Sequence, residues 1–252
     1  MKLIAPLEAR RSAPLARAHP LPKLASAFVL MAALFATVDL VTSGIVVGAL
    51  ALAFPFTGLP VGPFARRLLP LLSAAVGIAA FNTVFAANAT GVAGGAAAAL
   101  RLVGISVAGI LAVATIDPTD LADALIQHLR ASPRFVLGAL AAWRLAPLFG
   151  QEWVTLGLAR RARGIEAESG VGRLTSFPGR TFGLLVGAIR RATRLALAMD
   201  TRGFGRRRCR TLARPRPIRA YDLAVLAAAI LVAAGATGVS IAAGTWRPLF
   251  AF

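Results

Sequence analysis

The sequence predicts an all-α integral membrane protein with about five transmembrane helices and three amphipathic helices on the cytoplasmic side. Three observations predict this class. First, 58% of the 252 residues are hydrophobic, only 15% are charged and the mean hydropathy is +0.74, whereas soluble domains carry about 25% charged residues. Second, the chain has four long apolar regions, and a helical bilayer crossing needs about 20 such residues. Third, its basic residues are segregated along the chain, as expected for a fixed membrane orientation.

The apolar regions predict the individual crossings. Residues 24–56 are interrupted only by Asp39, and the stretch Asp39–Gly44 is the natural turn of a hairpin of two short helices. Such short helices span a bilayer only with snorkelling ends or local bilayer thinning. A cleaved signal peptide is the competing interpretation of the first apolar run, although the basic segment before it is unusually long for a signal. Further crossings are predicted at 68–87, at 94–116 and at 223–243.

Basic residues assign the cytoplasmic side, because short loops rich in Lys and Arg stay there. They precede the first crossing, follow the second at positions 66–67, and include 19 arginines between residues 130 and 219. The loops near Asp39 and at 88–94 carry none. We therefore expect a multi-pass membrane protein with a cytoplasmic N-terminus. The expected segments are a basic extension at 1–20, transmembrane helices 1–4 at 21–116, a cytoplasmic helical region at 117–219 and a C-terminal transmembrane helix at 220–252.

The cytoplasmic region predicts three amphipathic helices. The first begins at Asp117, a favourable N-cap that is followed by proline. The second ends at Gly164, and the third runs from about Thr181 to Gly203. Their apolar stripes comprise Leu121, Leu125 and Leu129 on the first helix, and Leu185, Ile189, Ala196 and Met199 on the third.

Two of these helices end alike, on Ala162-Arg163-Gly164 and on Thr201-Arg202-Gly203. Arginine in a last turn is favoured by the helix dipole, and the following glycine can take the left-handed conformation that turns the chain away. The planar guanidinium then projects from a blunt helix end and suits a groove lined by carboxylates or backbone carbonyls. Ordinary C-capping explains either ending alone, but two endings on one side of a membrane favour a binding role.

Two ionisable residues, Asp39 and Arg101, lie inside the apolar regions. An arginine near the middle of a bilayer costs roughly 2.5–3.5 kcal/mol on insertion scales, so it needs a partner or an escape to the interface. Either Arg101 snorkels to the outer interface, or it forms an intramembrane ion pair with Asp39.

The composition argues against several function classes. The apolar excess disfavours a soluble enzyme, the single Cys209 excludes an internal disulfide, and two histidines without a cluster give no metal-site spacing. The basic run after Arg202 suits topology and anionic headgroups better than nucleic acid, because it has no interleaved aromatics beyond Phe204. A stand-alone channel or secondary carrier remains the alternative, although the crossings offer few polar residues for a pathway.

The sequence resembles the T component of energy-coupling factor (ECF) transporters, the transmembrane coupling subunits that include the EcfT, CbiQ and BioN proteins. The resemblance runs from about residue 19 to residue 239. The most specific segments are the two helix endings, of which the second has Thr201 where the family pattern has Ala. The other similar segments are His19–Leu24, Leu68–Leu72, Thr115–Leu125 and Arg144–Leu148.

The resemblance implies a non-catalytic transporter subunit of the prokaryotic inner membrane. In such transporters two cytoplasmic ABC ATPases hydrolyse ATP, a small membrane S component captures a vitamin or a metal ion, and the T subunit in the bilayer connects them. It implies that the helices ending at Arg163 and Arg202 are coupling helices docked on the ATPases, and that the apolar stripes form a platform for the S component. The sequence has no Walker A motif, so we expect ATP to be bound by the partners and no cofactor in this chain.

Overall fold

The computed structural model describes residues 13–85, 91–165, 171–204 and 214–246, and these residues form nine helices. The predicted all-α class is confirmed. The chain divides into two compact units, Met1–Arg130 with Arg216–Phe252, and Ala131–Pro215. The helices of the first unit are α1 (Pro14–Arg17), α2 (Pro20–Ala36), α3 (Leu40–Thr57), α4 (Val61–Phe85), α5 (Gly91–Thr115), α6 (Pro118–His128) and α9 (Ala220–Ala242); those of the second are α7 (Pro133–Ala162) and α8 (Val171–Thr201).

Four helices in the described part of the chain, α3, α4, α5 and α9, have the length and apolar composition that a membrane crossing requires. Helix α2 is also apolar but has only 17 residues. At 1.5 Å per residue it is about 25 Å long, slightly less than the ~30 Å hydrocarbon core of a bilayer. The expected set of about five crossings therefore corresponds to four full-length helices and one short helix.

The predicted break at Asp39 is confirmed, since α2 ends at Ala36 and α3 begins at Leu40, but residues 40–44 of the predicted turn belong to α3. The Asp39 carboxylate is buried and its Oδ2 accepts the backbone N–H of Thr42 at 2.8 Å. The same oxygen accepts the hydroxyl of Ser240 on α9. One side chain thus caps the start of α3 and joins that helix end to α9.

Small residues bring the apolar helices close together, as expected where lipid-embedded helices pack. A β-carbon on Gly95 of α5 would lie 2.6 Å from the carbonyl oxygen of Ala79 on α4. A β-carbon on Gly104 would lie 2.8 Å from Leu34, and one on Gly109 would lie 2.9 Å from Met31. These glycines therefore serve packing contacts between helices.

Helix α8 begins at Val171, ten residues before the predicted start at about Thr181. The prediction was wrong because Pro178 and its neighbouring glycine disfavour a helix locally. The structure holds this segment against α7, where the Phe177 ring lies 5.4 Å from the Trp153 ring. Tertiary contact thus overrides the local propensity of the segment.

We expect Gly95→Ala to lower the thermal unfolding midpoint of the protein in detergent. The added β-carbon would meet a backbone oxygen that cannot move independently of its helix, and such overpacking costs about 1–3 kcal/mol. The matched control is Gly77→Ala on α4, where an added β-carbon meets nothing within 4 Å. A midpoint for Gly95→Ala equal to that of the control would contradict the close packing of α4 and α5.

Candidate functional site

The two Arg-Gly endings lie at the C-termini of α7 and α8 and share one backbone geometry. Gly164 has a left-handed φ of +67°. Its N–H donates to the carbonyl of Arg161 at 2.9 Å, and the N–H of Ile165 donates to the carbonyl of Arg160 at 3.1 Å. This pair of bonds defines a Schellman motif. The second ending repeats it, with Gly203 at φ +73°, donating to Asp200, and Phe204 donating to Met199.

Helix α9 ends with the same motif but without an arginine. Gly244 has a φ of +66° and donates to Ile241 at 3.0 Å, and Thr245 donates to Ser240 at 3.1 Å. The residue before the glycine is Ala243. The cap therefore forms from backbone bonds alone, which means that an arginine is not required to end a helix of this chain in this way.

The side chains of Arg163 and Arg202 are exposed and make no hydrogen bond or ion pair with the residues that the structure describes. Another arginine of the same unit behaves differently. Arg191 pairs with Glu152 on α7 and lies 5.8 Å from the Phe149 ring centroid. The two helix ends thus present guanidinium groups whose donors are open to a partner.

The two arginines lie at opposite ends of an antiparallel helix pair. A β-carbon on Gly183 of α8 would lie 3.7 Å from Leu156 of α7, and Arg160 lies against Gly179. Arg163 is therefore near the level at which α8 begins. Arg202 follows Gly179 by about 23 residues, which is on the order of 35 Å along the helix axis.

The apolar stripe predicted on α8 is open. Leu185 is 54% exposed and Ile189 is 56% exposed, Ala196 is exposed and Met199 is half-buried. Large apolar side chains that follow one face of a helix mark a surface that a partner can cover.

The stripe predicted on the first cytoplasmic helix falls on α6, in the other unit of the chain. Leu121 and Leu125 are half-buried. Leu129 is the C-cap residue, just after the last helical residue, and is largely exposed. The predicted N-cap of this helix is confirmed, because Asp117 accepts the N–H of Thr119 at 2.8 Å.

The structure gives Arg101 and Asp39 different partners and does not support an ion pair between them. The Arg101 Nη2 donates to the carbonyl of Phe35 at 2.7 Å, and its guanidinium carbon lies 5.1 Å from the Phe35 ring centroid. Phe35 is in the last turn of α2, where carbonyls lack donors within the helix. Arg101 thus caps the neighbouring helix, whereas Asp39 caps α3.

A comparison with protein families matches the CbiQ family, described as cobalt transport protein, to residues 11–211. The chain belongs to the CbiQ family. The match covers both Arg-Gly endings and confirms the resemblance to ECF T components. With four apolar helices that are long enough to cross a membrane, this CbiQ-family chain is a membrane transport protein. No curated protein matches the chain.

Sequence reasoning missed a buried polar cluster at the start of α2. The backbone N–H of His19 donates to Oδ1 of Asp222 at 2.7 Å, and Oδ2 of Asp222 accepts the N–H of Arg219 at 2.8 Å. Lys23 Nζ donates to the carbonyl of Thr115 at 3.0 Å. These bonds join the start of α2 to the start of α9 and the end of α5. The signal in the sequence was a histidine and a lysine flanking prolines before an apolar helix.

A second set of contacts extends this cluster to α6. Arg216 pairs with Asp120, and its backbone N–H donates to the side chain of Gln127 at 3.0 Å. The His128 ring meets the His19 ring edge-on at a centroid distance of 4.8 Å. These contacts fix α6 to the same part of the first unit.

The helix cap that His19 forms requires the neutral form of its imidazole ring. Its Nδ1 accepts the N–H of Leu21 at 3.3 Å, which caps the start of α2. Burial, and next the neighbouring His128, lower the pKa of His19 below its usual value of 6.5, while Asp222 acts in the opposite direction. Protonation would place a hydrogen on the capping nitrogen.

We expect the stability of the protein to fall as the pH drops below about 6.5, the usual pKa of histidine. Because the pKa of His19 is lower in the folded chain, the unfolded chain binds more protons in the window below that value, so the free energy of unfolding decreases there and is unaffected above it. The measurement is the thermal unfolding midpoint between about pH 5 and pH 8. His19→Asn keeps a capping side chain that does not titrate and should show a smaller decrease. Identical pH profiles for the two proteins would contradict this assignment.

Proposed function

We propose that this chain is the transmembrane coupling (T) subunit of an ECF-type ABC importer. It transmits the ATP-driven motion of two cytoplasmic ATPases to a substrate-binding S component, for uptake of a vitamin or a metal ion. The family match supports a role in transport. The observation that carries the finer proposal is the pair Arg163 and Arg202, two exposed guanidinium groups on helix ends that are capped by backbone bonds alone.

The chemistry of these ends suits an ATPase groove. A guanidinium offers five N–H donors in a fixed plane, which match carboxylates and backbone carbonyls. The separation between the two ends, on the order of 35 Å along α8, favours two grooves on two subunits over one shared groove. In this proposal the ATPases bind and hydrolyse ATP, and this chain contributes no catalysis and holds no cofactor.

The exposed stripe of α8 suits the S component. Leu185 and Ile189 each leave more than half of their surface open, and full burial of such a side chain contributes about 1.5–3 kcal/mol. A small apolar membrane protein offers the complementary surface. Leu121, Leu125 and Leu129 on α6, together with Ala196 and Met199, complete the proposed platform.

The orientation follows from the charges. The arginine-rich second unit belongs on the cytoplasmic side of the prokaryotic inner membrane, together with the N-terminus, because basic segments resist translocation. A channel or a secondary carrier would need polar groups directed into a pathway. Asp39 and Arg101 are instead bonded to helix ends, which favours a structural role for both.

We expect Arg163→Ala combined with Arg202→Ala to abolish association with the ATPases while leaving the chain folded in the membrane. The caps do not need the arginines, so the thermal unfolding midpoint should stay unchanged. Loss of two central arginine contacts should reduce uptake roughly tenfold or more. The measurement is gentle purification of the tagged chain from its native membrane, identification of the co-purified proteins by mass spectrometry, and substrate uptake by the same cells.

The matched control is Arg161→Ala combined with Arg190→Ala. It removes the same charge from the same two helices at exposed positions outside the Arg-Gly endings, Arg161 in the last turn of α7 and Arg190 within α8. This control should retain ATPases, the S component and uptake. Normal uptake by the Arg163 and Arg202 double variant would contradict the proposed coupling role.

A further inference from the structure

Helices α7 and α8 contact each other through two arginines, each of which packs against a glycine of the facing helix. A β-carbon on Gly157 of α7 would lie 2.2 Å from Nη2 and 2.6 Å from Cζ of Arg180 on α8. A β-carbon on Gly179 of α8 would lie 2.9 Å from both terminal nitrogens of Arg160 on α7. Each guanidinium therefore occupies the space that a side chain would fill on the facing helix, and the two contacts are reciprocal.

The surroundings hold both guanidinium groups in place. The Nε atoms of Arg160 and Arg180 are shielded from solvent, and Gly157 is buried. The Arg180 guanidinium lies 5.5 Å from the ring centroid of Trp153, a distance at which a cation is attracted to an aromatic face. Arginine loses less conformational freedom per contact than other long side chains, because its planar group is already organised.

We propose that Arg160 and Arg180 are positioning residues. Their contacts with Gly179 and Gly157 fix the angle at which α7 packs on α8, and this angle determines the distance between the two Arg-Gly ends. Beyond this crossing the last part of α8 is largely exposed and continues to Arg202. A rotation of about 10° at Gly179 would move Arg202 by roughly 6 Å, given a helix segment on the order of 35 Å long. A loose crossing would therefore misplace one end relative to the other. The consequence for transport rests on the proposed coupling function, whereas the consequence for the helix crossing does not.

The first experiment measures the crossing itself, in the full chain in lipid nanodiscs. Spin labels are attached to cysteines introduced at the exposed Ala159 and Ala198, with Cys209 replaced by serine, and their distance distribution is recorded. We expect one narrow distribution on the order of 30 Å for the otherwise unchanged chain. Gly157→Ala and Gly179→Ala should shift or broaden this distribution, because each added methyl group displaces the guanidinium that packs against the glycine.

The chain offers matched controls in the same two helices. An added β-carbon on Gly150 of α7 or Gly187 of α8 meets nothing within 4 Å. All four alanine substitutions raise helix propensity equally, but only those at Gly157 and Gly179 create a collision. Gly150→Ala and Gly187→Ala should leave the distribution unchanged. Distributions that do not differ between the two pairs of variants would overturn the proposal.

A double-mutant cycle separates the contact from a general loss of structure. Arg180→Ala removes the guanidinium, so the methyl group of Gly157→Ala then has room. The combined variant should broaden the distribution no more than Arg180→Ala alone, and Arg180→Lys should not restore the native distribution, because an ammonium lacks the flat group. Additive broadening in the combined variant would overturn the assignment of the contact between Arg180 and Gly157.

The second experiment measures coupling in the complete transporter. Gly157→Ala keeps both Arg-Gly ends, so the ATPases should still co-purify. The ATP hydrolysed per substrate molecule transported should rise at least threefold relative to Gly150→Ala. An unchanged ratio together with a changed distance distribution would overturn the transport consequence. Failure of the proposed function has a different signature, which is normal uptake when Arg163 and Arg202 are both alanine.

Discussion

A helix end inside the apolar part of a bilayer has no bulk water to satisfy its free N–H and C=O groups, and the first unit of this chain bonds several of its helix ends internally. Helices α2 and α5 do so reciprocally. Lys23 near the start of α2 donates to Thr115 at the end of α5, and Arg101 of α5 donates to Phe35 at the end of α2. Each cation lies at the C-terminal, negative end of the other helix, where the helix dipole favours it. The same bonds therefore cap two helices and fix their register.

The carboxylates complete this scheme at the N-terminal ends of helices, where the helix dipole favours negative charge. Asp39 caps α3 and accepts a bond from α9, and Asp222 lies in the first turn of α9 and accepts the backbone N–H of His19. Because each carboxylate bonds to two elements, loss of one would leave an unsatisfied helix end and free a neighbouring helix. Charged groups that are expensive in an apolar environment are thus placed where they replace the missing water.

The sequence predicted features that local chemistry determines, such as the break at Asp39 and the left-handed glycines that end α7 and α8. It did not predict features that depend on residues distant in the chain. Asp222 is 203 positions from His19, and no periodicity or capping rule relates the two. Helix α8 was predicted to begin too late for the same reason, because the ring contact between Phe177 and Trp153 lies outside what local propensity expresses. Helix capping thus depends on residues that are close in the sequence, whereas the register between helices depends on residues that only the fold brings together.

The second unit ends both of its helices with backbone bonds alone, as α9 does in the first unit, and this connects structure to function. Its Schellman caps use only backbone bonds, so the side chains of Arg163 and Arg202 take no part in them. The contacts that the described residues make between α7 and α8 join residues 149–160 to residues 177–191. A partner that binds either Arg-Gly end can shift its position only through contacts that differ between two states. Exposed guanidinium groups on rigid helix ends supply such contacts, because their hydrogen bonds to a partner form or break without a change in the shape of the helix.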